Sequence, residues 1–555
     1  MAGATANLGE HLSRVAERLP DKPAVICVKR RGGALRSRSW TFRELDREAD
    51  RLAHAFRRIG IGKGVRTILM VRPSFELFSI SFALARAGAI PVMIDPGMGR
   101  QRLVDNLSAI DAGAFIGVPL AHALRVASPG RFPTVKATVT VGKRLFWGGH
   151  TYSGLVAAEP WRPFVPEPTQ PQDTAAIFFT TGSTGPPKGV VYEHGMFDAQ
   201  IDYLHSHFGY DEADVDLATF PIFSLFDVVL GITSVIPDMD PTKPGTADPA
   251  LIAATIRAHA CTSLYASPAL LENLARWGAE TGATLPTLRR IITAGAPVRP
   301  ALLEALHTML PERAPIHTPY GATEVLPVTS IESGEILAAA RSSRRTDRGM
   351  CVGRPMHGMD LRLIGISDAP IGSWSETRAV AAGEVGEIVV RGPNVTKEYF
   401  RNSEATRLAK IADDGDTAGI WHRMGDLGYL DDAGRLWFCG RKAHRVEAVG
   451  GPLFTIPCEA VFNAHPRVRR SALVGVGTRG RQQPVLVVEL VQGDSGRETA
   501  ALTGELLALG ARHEHTAQIR TVLYHPGFPV DIRHNAKIRR EELTTWATQH
   551  LEATT

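Results

Sequence analysis

The chain has 555 residues, more than one hydrophobic core usually supports, so we expect two or more domains. Apolar residues make up 44% and charged residues 21% of the sequence, as in ordinary globular proteins. The formal net charge is only +5, and short basic groups such as Lys29, Arg30 and Arg31 lack interleaved aromatic residues. This pattern argues against a nucleic-acid-binding protein.

Cysteine usage and the N-terminus predict a cytoplasmic protein. The first 19 residues lack the apolar core of a signal peptide. The most apolar long stretch, residues 75–94, contains Glu76, Arg86 and Pro91, so we predict no membrane span. The cysteines are odd in number and form no Cys-x-x-Cys pair, which favours a reducing compartment and argues against a zinc site. They stand at Cys27, Cys261, Cys351, Cys439 and Cys458.

The first predicted element is an amphipathic helix within residues 41–64. A strand at 67–71, a helix at 75–87 and a strand at 90–94 follow. This alternation implies a parallel sheet covered by helices, and it recurs within residues 175–265 and 291–310. The helical spacing at 41–64 is carried by Phe42, Leu45, Ala49, Leu52, Ala53, Phe56 and Ile59.

From residue 350 onward the pattern changes to short strands separated by glycine turns. We predict such strands at 351–353, 361–364, 387–391 and 435–439, which indicates a β-rich subdomain. A turn-rich passage then leads to strands at 471–475 and 484–491 and a helix near 502–509. The last hundred or so residues are therefore expected to form a separate small α+β domain.

A loop rich in glycine and hydroxyl groups lies between the apolar run at 175–179 and a strand at 190–192. Its glycines allow close backbone approach to an anion, its hydroxyls are donors, and Lys188 adds positive charge. It is not a Walker loop, because Lys188 is followed by Gly189 and a strand. The alternative is a mobile glycine-serine turn. The predicted phosphate-binding residues are Thr180, Thr181, Gly182, Ser183, Thr184, Gly185 and Lys188.

This loop resembles the phosphate-loop signature of the adenylate-forming superfamily, which includes acyl-CoA synthetases, peptide-synthetase adenylation domains and luciferases. The resemblance implies an α/β fold, with a large N-terminal domain at residues 1–440 and a C-terminal domain at 441–555. The larger domain would contain two stacked α/β sheet subdomains and a β-rich subdomain, and the smaller would be a mobile α+β lid. It also implies a ligase that uses ATP and Mg²⁺ to join a carboxylate to AMP.

The segment from Tyr320 to Glu324 matches the second hallmark of that superfamily. The face of Tyr320 can stack on adenine beside Gly321, and the Thr323 hydroxyl can reach a phosphate. Glu324 can supply a hard oxygen ligand to Mg²⁺. Thr323 and Glu324 are therefore candidate catalytic residues.

Three further sites resemble the superfamily's nucleotide contacts. Gly295, Ala296 and Pro297 follow a predicted strand and resemble the adenine-side loop, although an ordinary turn before a helix is the alternative. Asp426 matches the carboxylate that binds the ribose hydroxyls, as in dinucleotide-binding folds. Arg441 matches the arginine at the hinge between the domains, which contacts the nucleotide.

The tail from 529 to 540 resembles the last motif of the superfamily, a proline and then a lysine before a basic helix. In that motif the lysine bridges the substrate carboxylate and the α-phosphate and stabilises charge as pyrophosphate leaves. Lys537 is therefore the first candidate for a catalytic residue, and the alternative is a surface lysine at the start of a helix.

The sequence departs from the acyl-CoA synthetases where the acyl acceptor would be decided. Ser224 stands where a histidine is usual, and Ala443 and Glu447 alter the hinge pattern. These changes argue against a thioester step. The segments at 178–180, 221–227 and 531–537 resemble the olefin-biosynthesis branch of the superfamily, the ATP-dependent β-lactone synthetases, often described as long-chain acyl-CoA ligases. The resemblance implies adenylation of a long-chain 2-alkyl-3-hydroxy acid, whose own 3-hydroxyl then attacks to form a β-lactone. It also implies assembly with the thiolase, reductase and β-lactone decarboxylase of the pathway.

The acyl site is the least defined part of this prediction. We expect His194, Phe223, Ser224 and Asp227 near the substrate, with His194, Ser224 and Asp227 as candidates to assist the hydroxyl. His194 could instead order the segment after the phosphate loop, and Asp227 could be a helix-start carboxylate. A long-chain acyl-CoA ligase or acyl-AMP ligase is the alternative activity, and a degenerate nucleotide-binding scaffold is a third interpretation.

Overall fold

The structure is a computed structural model that describes residues 7–180, 187–220, 222–312, 314–341, 349–414, 419–491, 499–530 and 538–552. The predicted loop residues Thr181, Gly182, Ser183, Thr184 and Gly185 and the predicted catalytic residue Lys537 lie outside these ranges.

The α-helices in chain order are α1 (Leu8–Arg18), α2 (Phe42–Arg58), α3 (Phe75–Arg86), α4 (Arg100–Ser108), α5 (Pro119–Val126), α6 (Tyr152–Ala158), α7 (His194–Ser206), α8 (Ser224–Val229), α9 (Pro249–Ala258), α10 (Pro268–Thr281), α11 (Pro300–His307), α12 (Ser333–Arg341), α13 (Ser403–Ala409), α14 (Thr455–Asn463), α15 (Thr499–Gly510) and α16 (Arg540–Glu552).

The strands of the first two thirds of the chain are β1 (Pro23–Arg31), β2 (Ala34–Thr41), β3 (Arg66–Met70), β4 (Ile90–Met93), β5 (Ala114–Gly117), β6 (Ala137–Thr140), β7 (His150–Thr151), β8 (Thr174–Phe179), β9 (Gly189–Glu193), β10 (Val215–Ala218), β11 (Thr233–Ile236), β12 (Ser263–Ala266), β13 (Arg290–Thr293) and β14 (Ile316–His317).

The remaining strands are β15 (Tyr320–Ala322), β16 (Val325–Ser330), β17 (Met350–Pro355), β18 (Asp360–Ile364), β19 (Gly386–Arg391), β20 (Lys410–Ala412), β21 (Ile420–Leu430), β22 (Leu436–Arg441), β23 (Val446–Ala448), β24 (Gly451–Leu453), β25 (Val468–Val476), β26 (Gln483–Leu490) and β27 (Thr521–Tyr524).

Two mainly parallel sheets form the α/β part of the molecule. Sheet A has the strand order β14-β13-β12-β10-β11-β1-β2, and sheet B has the order β7-β6-β5-β3-β4-β8-β9. Each ends in one antiparallel pair, β1 with β2 and β8 with β9. The prediction of helix-covered parallel sheets is therefore confirmed, with an antiparallel edge on each sheet that the alternation of elements did not predict.

Helix α2 shows how the sequence produces this packing. Thr41 accepts from the backbone of Glu44, whose side chain accepts from the Thr41 N–H, so the helix begins with a capping box. The predicted stripe, including Phe42 and Leu52, is buried. The helix ends at Arg58, just before the predicted glycine turn, because Gly60 turns the chain with a φ of 84°.

The β-rich part is confirmed as an antiparallel sheet, here called sheet C. Its order is β15-β16-β17-β22-β21-β19-β18, with β20 beside β21. The C-terminal part packs α14, α15 and α16 on a three-stranded sheet of β25, β26 and β27, so it is α+β as expected. Strand β22 continues to Arg441, one residue past the predicted domain boundary at 440. The boundary and the mobility of the lid both stay predictions.

Buried ion pairs hold the C-terminal segment against sheet C. Glu387 accepts from Arg423 with Nε–Oε1 of 3.0 Å and Nη2–Oε2 of 2.7 Å. Lys442 Nζ lies 2.8 Å from the same carboxylate. Arg445 Nη1 lies 3.1 Å from Asp368 Oδ1.

Among the helices that the structure describes, none has the length and apolar composition needed to cross a bilayer.

We predict that Glu387→Gln lowers the free energy of unfolding by about 3–5 kcal/mol, because Arg423 and Lys442 lose their carboxylate in a buried site. The side chains of Arg423 and Glu387 are only 2% and 0% exposed. Urea denaturation followed by circular dichroism measures the effect. The exposed substitution Glu404→Gln in α13 is the control, and an equal effect of the two substitutions would contradict the prediction.

Candidate active site

The predicted phosphate loop joins two antiparallel strands of sheet B. Its two ends are held together, since Thr180 N donates to Lys188 O at 3.0 Å and Lys188 N donates to Thr180 Oγ1 at 3.2 Å. Phe400 N donates to Gly189 O at 2.7 Å, so a segment from the β-rich part lies beside β9. The described ends of the loop thus lie at the contact between sheet B and the β-rich part.

Tyr399 connects the loop to the second motif, and sequence reasoning did not identify it. Its ring centroid lies 4.9 Å from Lys188 Nζ, and its hydroxyl donates to Glu324 Oε1 at 2.6 Å. Burial and the neighbouring Glu324 raise the pKa of Tyr399, so the phenol stays a neutral donor. The available signal was weak, a pair of aromatic residues, Tyr399 and Phe400, in the sequence before α13.

Thr323 and Glu324 are fixed through their backbone. Tyr192 donates its hydroxyl to Thr323 O at 2.6 Å. Thr396 donates its N–H and its hydroxyl to Glu324 O at 3.0 and 2.9 Å. Lys410 in turn donates to the backbone oxygen of Thr396, and burial lowers the pKa of Lys410 to about 7. These contacts fix the backbone that carries the Glu324 side chain.

The donor set around Glu324 fits a magnesium ion bound together with a nucleotide. Glu324 has a second carboxylate oxygen besides the one that accepts from Tyr399. Among the described residues, no group of three or more histidine, cysteine, aspartate or glutamate side chains could form an all-protein metal site. Magnesium usually takes one or two carboxylates and completes its shell with water and substrate phosphates, which suits a single glutamate.

Three of the predicted adenine and ribose contacts meet on sheet C. Tyr320 donates its hydroxyl to Asp426 Oδ2 at 2.5 Å, and Arg441 Nη1 lies 3.1 Å from Asp426 Oδ1. Asp426 and Arg441 are cross-strand partners on β21 and β22. Asp426 raises the pKa of Arg441, so the guanidinium stays charged. The structure therefore brings these three predicted nucleotide contacts together.

The adenine-side loop follows β13 as predicted. Gly295 has a φ of 94°, a left-handed conformation that favours glycine. Ala294 and Gly295 line the large cavity described below, whereas Ala296 and Pro297 continue the turn towards α11. At Gly321 an added Cβ would lie 2.7 Å from Val325 O, so the tight turn of the second motif also needs glycine.

A cavity of about 1540 Å³ extends from these loops between the sheets. It touches Gly295, Gly321 and Thr323 at one end, and most of its wall is apolar. Phe223 lines it, as predicted for a substrate contact, together with Phe220 and other aromatic side chains. Its volume exceeds the roughly 300–1,000 Å³ typical of small-molecule pockets. The site can therefore hold a large apolar ligand next to a nucleotide.

Ser224 and Asp227 lie behind this aromatic wall. They line a separate cavity of about 70 Å³ that also contains Asp216. Asp227 Oδ2 accepts from Ser234 Oγ at 2.9 Å. Burial and the nearby Asp216 raise the pKa of Asp227, and burial raises that of Asp216 to about 6. Asp227 lies in the first turn of helix α8, in agreement with the alternative of a helix-start carboxylate.

His194 lines the large cavity but lies away from the phosphate loop. It is the first residue of α7, directly after β9, whereas the loop ends at the other end of that strand. Five residues of strand correspond to about 16 Å. Burial lowers the pKa of His194, which favours the neutral imidazole.

The fold and the nucleotide loops define an adenylate-forming enzyme, and comparison with known families agrees. Residues 12–400 match the family model described as AMP-binding enzyme. The chain belongs to the AMP-binding enzyme family.

Two curated relatives are similar over nearly the whole length. The olefin beta-lactone synthetase of Xanthomonas campestris pv. campestris is 48% identical over 98% of this chain and 98% of its own length. The enzyme of the same name from Stenotrophomonas maltophilia is 47% identical over 98% and 99%. An acyl-CoA ligase of Ajellomyces capsulatus is 27% identical over 79% of this chain and 74% of its own.

Solved structures show the same fold at lower identity. An amide bond synthetase from Marinactinospora thermotolerans superposes with a TM-score of 0.78, 22% identity, and coverage of 97% of this chain and 99% of that chain. The AMP complex of a Bacillus subtilis O-succinylbenzoate coenzyme A synthetase has a TM-score of 0.72, 20% identity, and coverage of 96% and 97%.

We predict that Asp216→Asn changes the pH dependence of stability. The pKa of Asp216 in the folded protein, about 6, lies above the ordinary 3.8, so the folded protein holds the proton more tightly than the unfolded chain. Wild type therefore loses stability as the pH rises from about 4 to 6, and the variant lacks this loss. Its free energy of unfolding relative to wild type should rise over that range and level off above it.

Urea denaturation at each pH value measures this difference. The exposed substitution Asp432→Asn is the control and should give a flat difference. A flat difference for Asp216→Asn as well would contradict the raised pKa.

Proposed function

We propose that the protein adenylates a long-chain 2-alkyl-3-hydroxy acid with ATP and converts the acyl-adenylate into a β-lactone. Pyrophosphate leaves in the first step and AMP in the second. The observation that carries this proposal is the large apolar cavity that reaches the predicted nucleotide loops at Gly295 and Thr323. The two olefin beta-lactone synthetases at 48% and 47% identity support it.

In the first step the carboxylate oxygen attacks the α-phosphorus of ATP. The phosphate loop with Lys188 would hold the phosphates, Tyr320 would contact the adenine, and Asp426 with Arg441 would hold the ribose. Magnesium, bound by Glu324 and phosphate oxygens, would neutralise charge on the phosphates. Lys537 would stabilise the charge that develops as pyrophosphate leaves. The contacts among Tyr399, Glu324 and Lys188 favour this arrangement.

In the second step the 3-hydroxyl oxygen bonds to the acyl carbon, and the bond from that carbon to the AMP oxygen breaks. The hydroxyl proton is released, and AMP leaves with the bonding electrons. A four-membered ring forms only when hydroxyl and carbonyl are held in attack geometry, which a close-fitting wall can provide. Phe220, Phe223 and Tyr265 line the cavity near the loops and would also exclude water from the acyl-adenylate.

The placement of the three candidate bases argues against direct proton abstraction by any of them. Ser224 and Asp227 face the small cavity behind the aromatic wall. His194 lies about 16 Å along β9 from the phosphate loop. We infer that these side chains shape the site and do not take the hydroxyl proton directly.

The altered hinge is consistent with an acceptor other than a thiol. Glu447 is held by Arg445 Nε at 2.9 Å and by Arg479 Nε at 3.1 Å. Arg445 also pairs with Asp368 of the β-rich part. We further propose that the protein assembles with the thiolase, reductase and β-lactone decarboxylase of an olefin pathway, which would consume a reactive product without releasing it.

We predict that ATP, Mg²⁺ and a 2-alkyl-3-hydroxy acid give AMP and a product lighter than the acid by one water, with no need for coenzyme A. Mass spectrometry with and without coenzyme A checks this, and the matching acid without the 3-hydroxyl is the control. That control should stop at the acyl-adenylate. A thioester that forms only with coenzyme A, and no loss of water in its absence, would favour the acyl-CoA ligase instead.

We predict that Lys537→Ala slows formation of the acyl-adenylate about 10²–10³-fold, because one transition-state charge contact is lost. Pyrophosphate release measured under saturating ATP and acid checks the effect. Lys136→Ala, a substitution of an exposed lysine, should leave the rate unchanged. Unchanged pyrophosphate release in the Lys537 variant would refute its catalytic role.

A further inference from the structure

The large cavity follows the carboxyl edge of sheet A away from the nucleotide loops. It is lined in turn by residues at the ends of β13, β12, β10 and β11, namely Gly295, Tyr265, Thr219 and Ile236. It then reaches Cys27, which pairs with Ile236 from the middle of β1. These strands are successive neighbours in the sheet. Four spacings of about 4.8 Å correspond to about 19 Å between the first and the last. We call this part the sheet A extension.

The same cavity also follows the carboxyl edge of sheet B. Its wall includes Phe179 at the end of β8, Met93 of β4, Met70 of β3 and Val118 after β5, and it continues to Ala123 on α5. The strands β8, β4, β3 and β5 are again neighbours in order, which corresponds to about 14 Å. We call this part the sheet B extension.

The two extensions end in different surroundings. The sheet A extension ends near Lys29 and Asp238, whose Nζ and Oδ1 atoms form an ion pair at 2.7 Å. The sheet B extension ends near Leu120, a large apolar side chain that is 72% exposed. Charged side chains thus lie at the end of the first extension, and an open apolar surface lies at the end of the second.

A linear fatty acid has one hydrocarbon chain and needs one such path, whereas the proposed substrate has two hydrocarbon chains. A 2-alkyl-3-hydroxy acid carries one hydrocarbon chain on C2 and another that continues from C3. Its acyl carbon must lie at the nucleotide loops, from which both extensions begin. Each methylene that leaves water for an apolar wall favours binding about fourfold, so a long chain left in water would forfeit much of the available affinity.

We infer that the two extensions bind the two hydrocarbon chains of the substrate separately, one chain in each. This inference rests on the proposed function. It makes the residues near the ends of the extensions, Cys27 on β1 and Ala123 on α5, determinants of the length of different chains. Both side chains are small and only partly buried, so each position can be enlarged.

Two single variants and two substrate series test the inference. Cys27→Phe and Ala123→Phe fill the ends of the two extensions, and Cys27→Ser and Ala123→Ser are the size-matched controls. One series of acids lengthens only the C2 chain, and the other lengthens only the chain on C3. The measured quantity is kcat/KM for pyrophosphate release, with the product mass recorded in parallel and thermal unfolding checked for each variant.

We expect each phenylalanine variant to lose at least tenfold in kcat/KM for the longest acids of one series, and the two variants to affect different series. The serine variants should keep the wild-type length profile. The inference is overturned if both variants affect the same series, if each affects both series, or if neither changes the profile. Cys27→Leu and Ala123→Leu replace any phenylalanine variant that does not fold.

Failure of the proposed function would look different. Chain-length preference is read from adenylation, so it decides the inference whether or not a lactone forms. If wild-type protein releases pyrophosphate but produces no dehydrated product, lactone formation is contradicted. The chain-length profiles would still test whether the two extensions bind separate chains.

Discussion

Parallel strands present their carboxyl ends at one edge of a sheet, and in this protein two such edges border one cavity. Gly295 follows a strand of sheet A, and Phe179 is the last residue of a strand of sheet B. The loops predicted to approach a nucleotide and the walls proposed to accept an acyl chain are thereby adjacent, although they come from distant parts of the chain. Ligands of open α/β folds bind at such carboxyl edges for this reason.

The β-rich part completes the site by supplying polar partners at the rim of the cavity. Tyr399 binds Glu324 and lies against Lys188, and Asp426 binds both Tyr320 and Arg441. Such contacts hold charged side chains in place before a ligand arrives, which lowers the cost of organising the site during reaction. Because Arg441 is followed directly by the segment bound to Glu387 and Asp368, the predicted nucleotide contacts are continuous with the contacts that hold the C-terminal part.

The part of the site proposed to hold the acyl chain depends on burial rather than on charged contacts at the rim. Its aromatic wall separates the large cavity from a small polar one that contains Asp216 and Asp227. The raised pKa values of these carboxyl groups follow from burial, and their hydrogen bonds to Ser263 and Ser234 tie them to the sheet. A reactive acyl-adenylate benefits from dry surroundings, so the wall matters as much for the exclusion of water as for the fit of the chain.

The sequence by itself determined the local features, because each depends on residues close in the chain. Periodicity predicted α2 and the alternation of strands and helices, and motif spacing predicted the loops around Lys188, Gly295 and Glu324. The roles proposed for these residues, including Lys537, stay predictions. The antiparallel edges of the sheets lay beyond periodicity, since pairing partners are set by long-range hydrogen bonds.

Only the tertiary structure decided which side chains meet. Tyr399 contacts Glu324 across 75 residues, and Lys410 is buried beside Thr396, neither of which a local motif signals. Ser224 follows Phe223 directly in sequence, yet Phe223 borders both cavities, whereas Ser224 lines only the small one. The walls of the acyl cavity are likewise a property of two sheets packed together, a long-range arrangement that depends on burial of apolar faces and leaves no signature in any single segment.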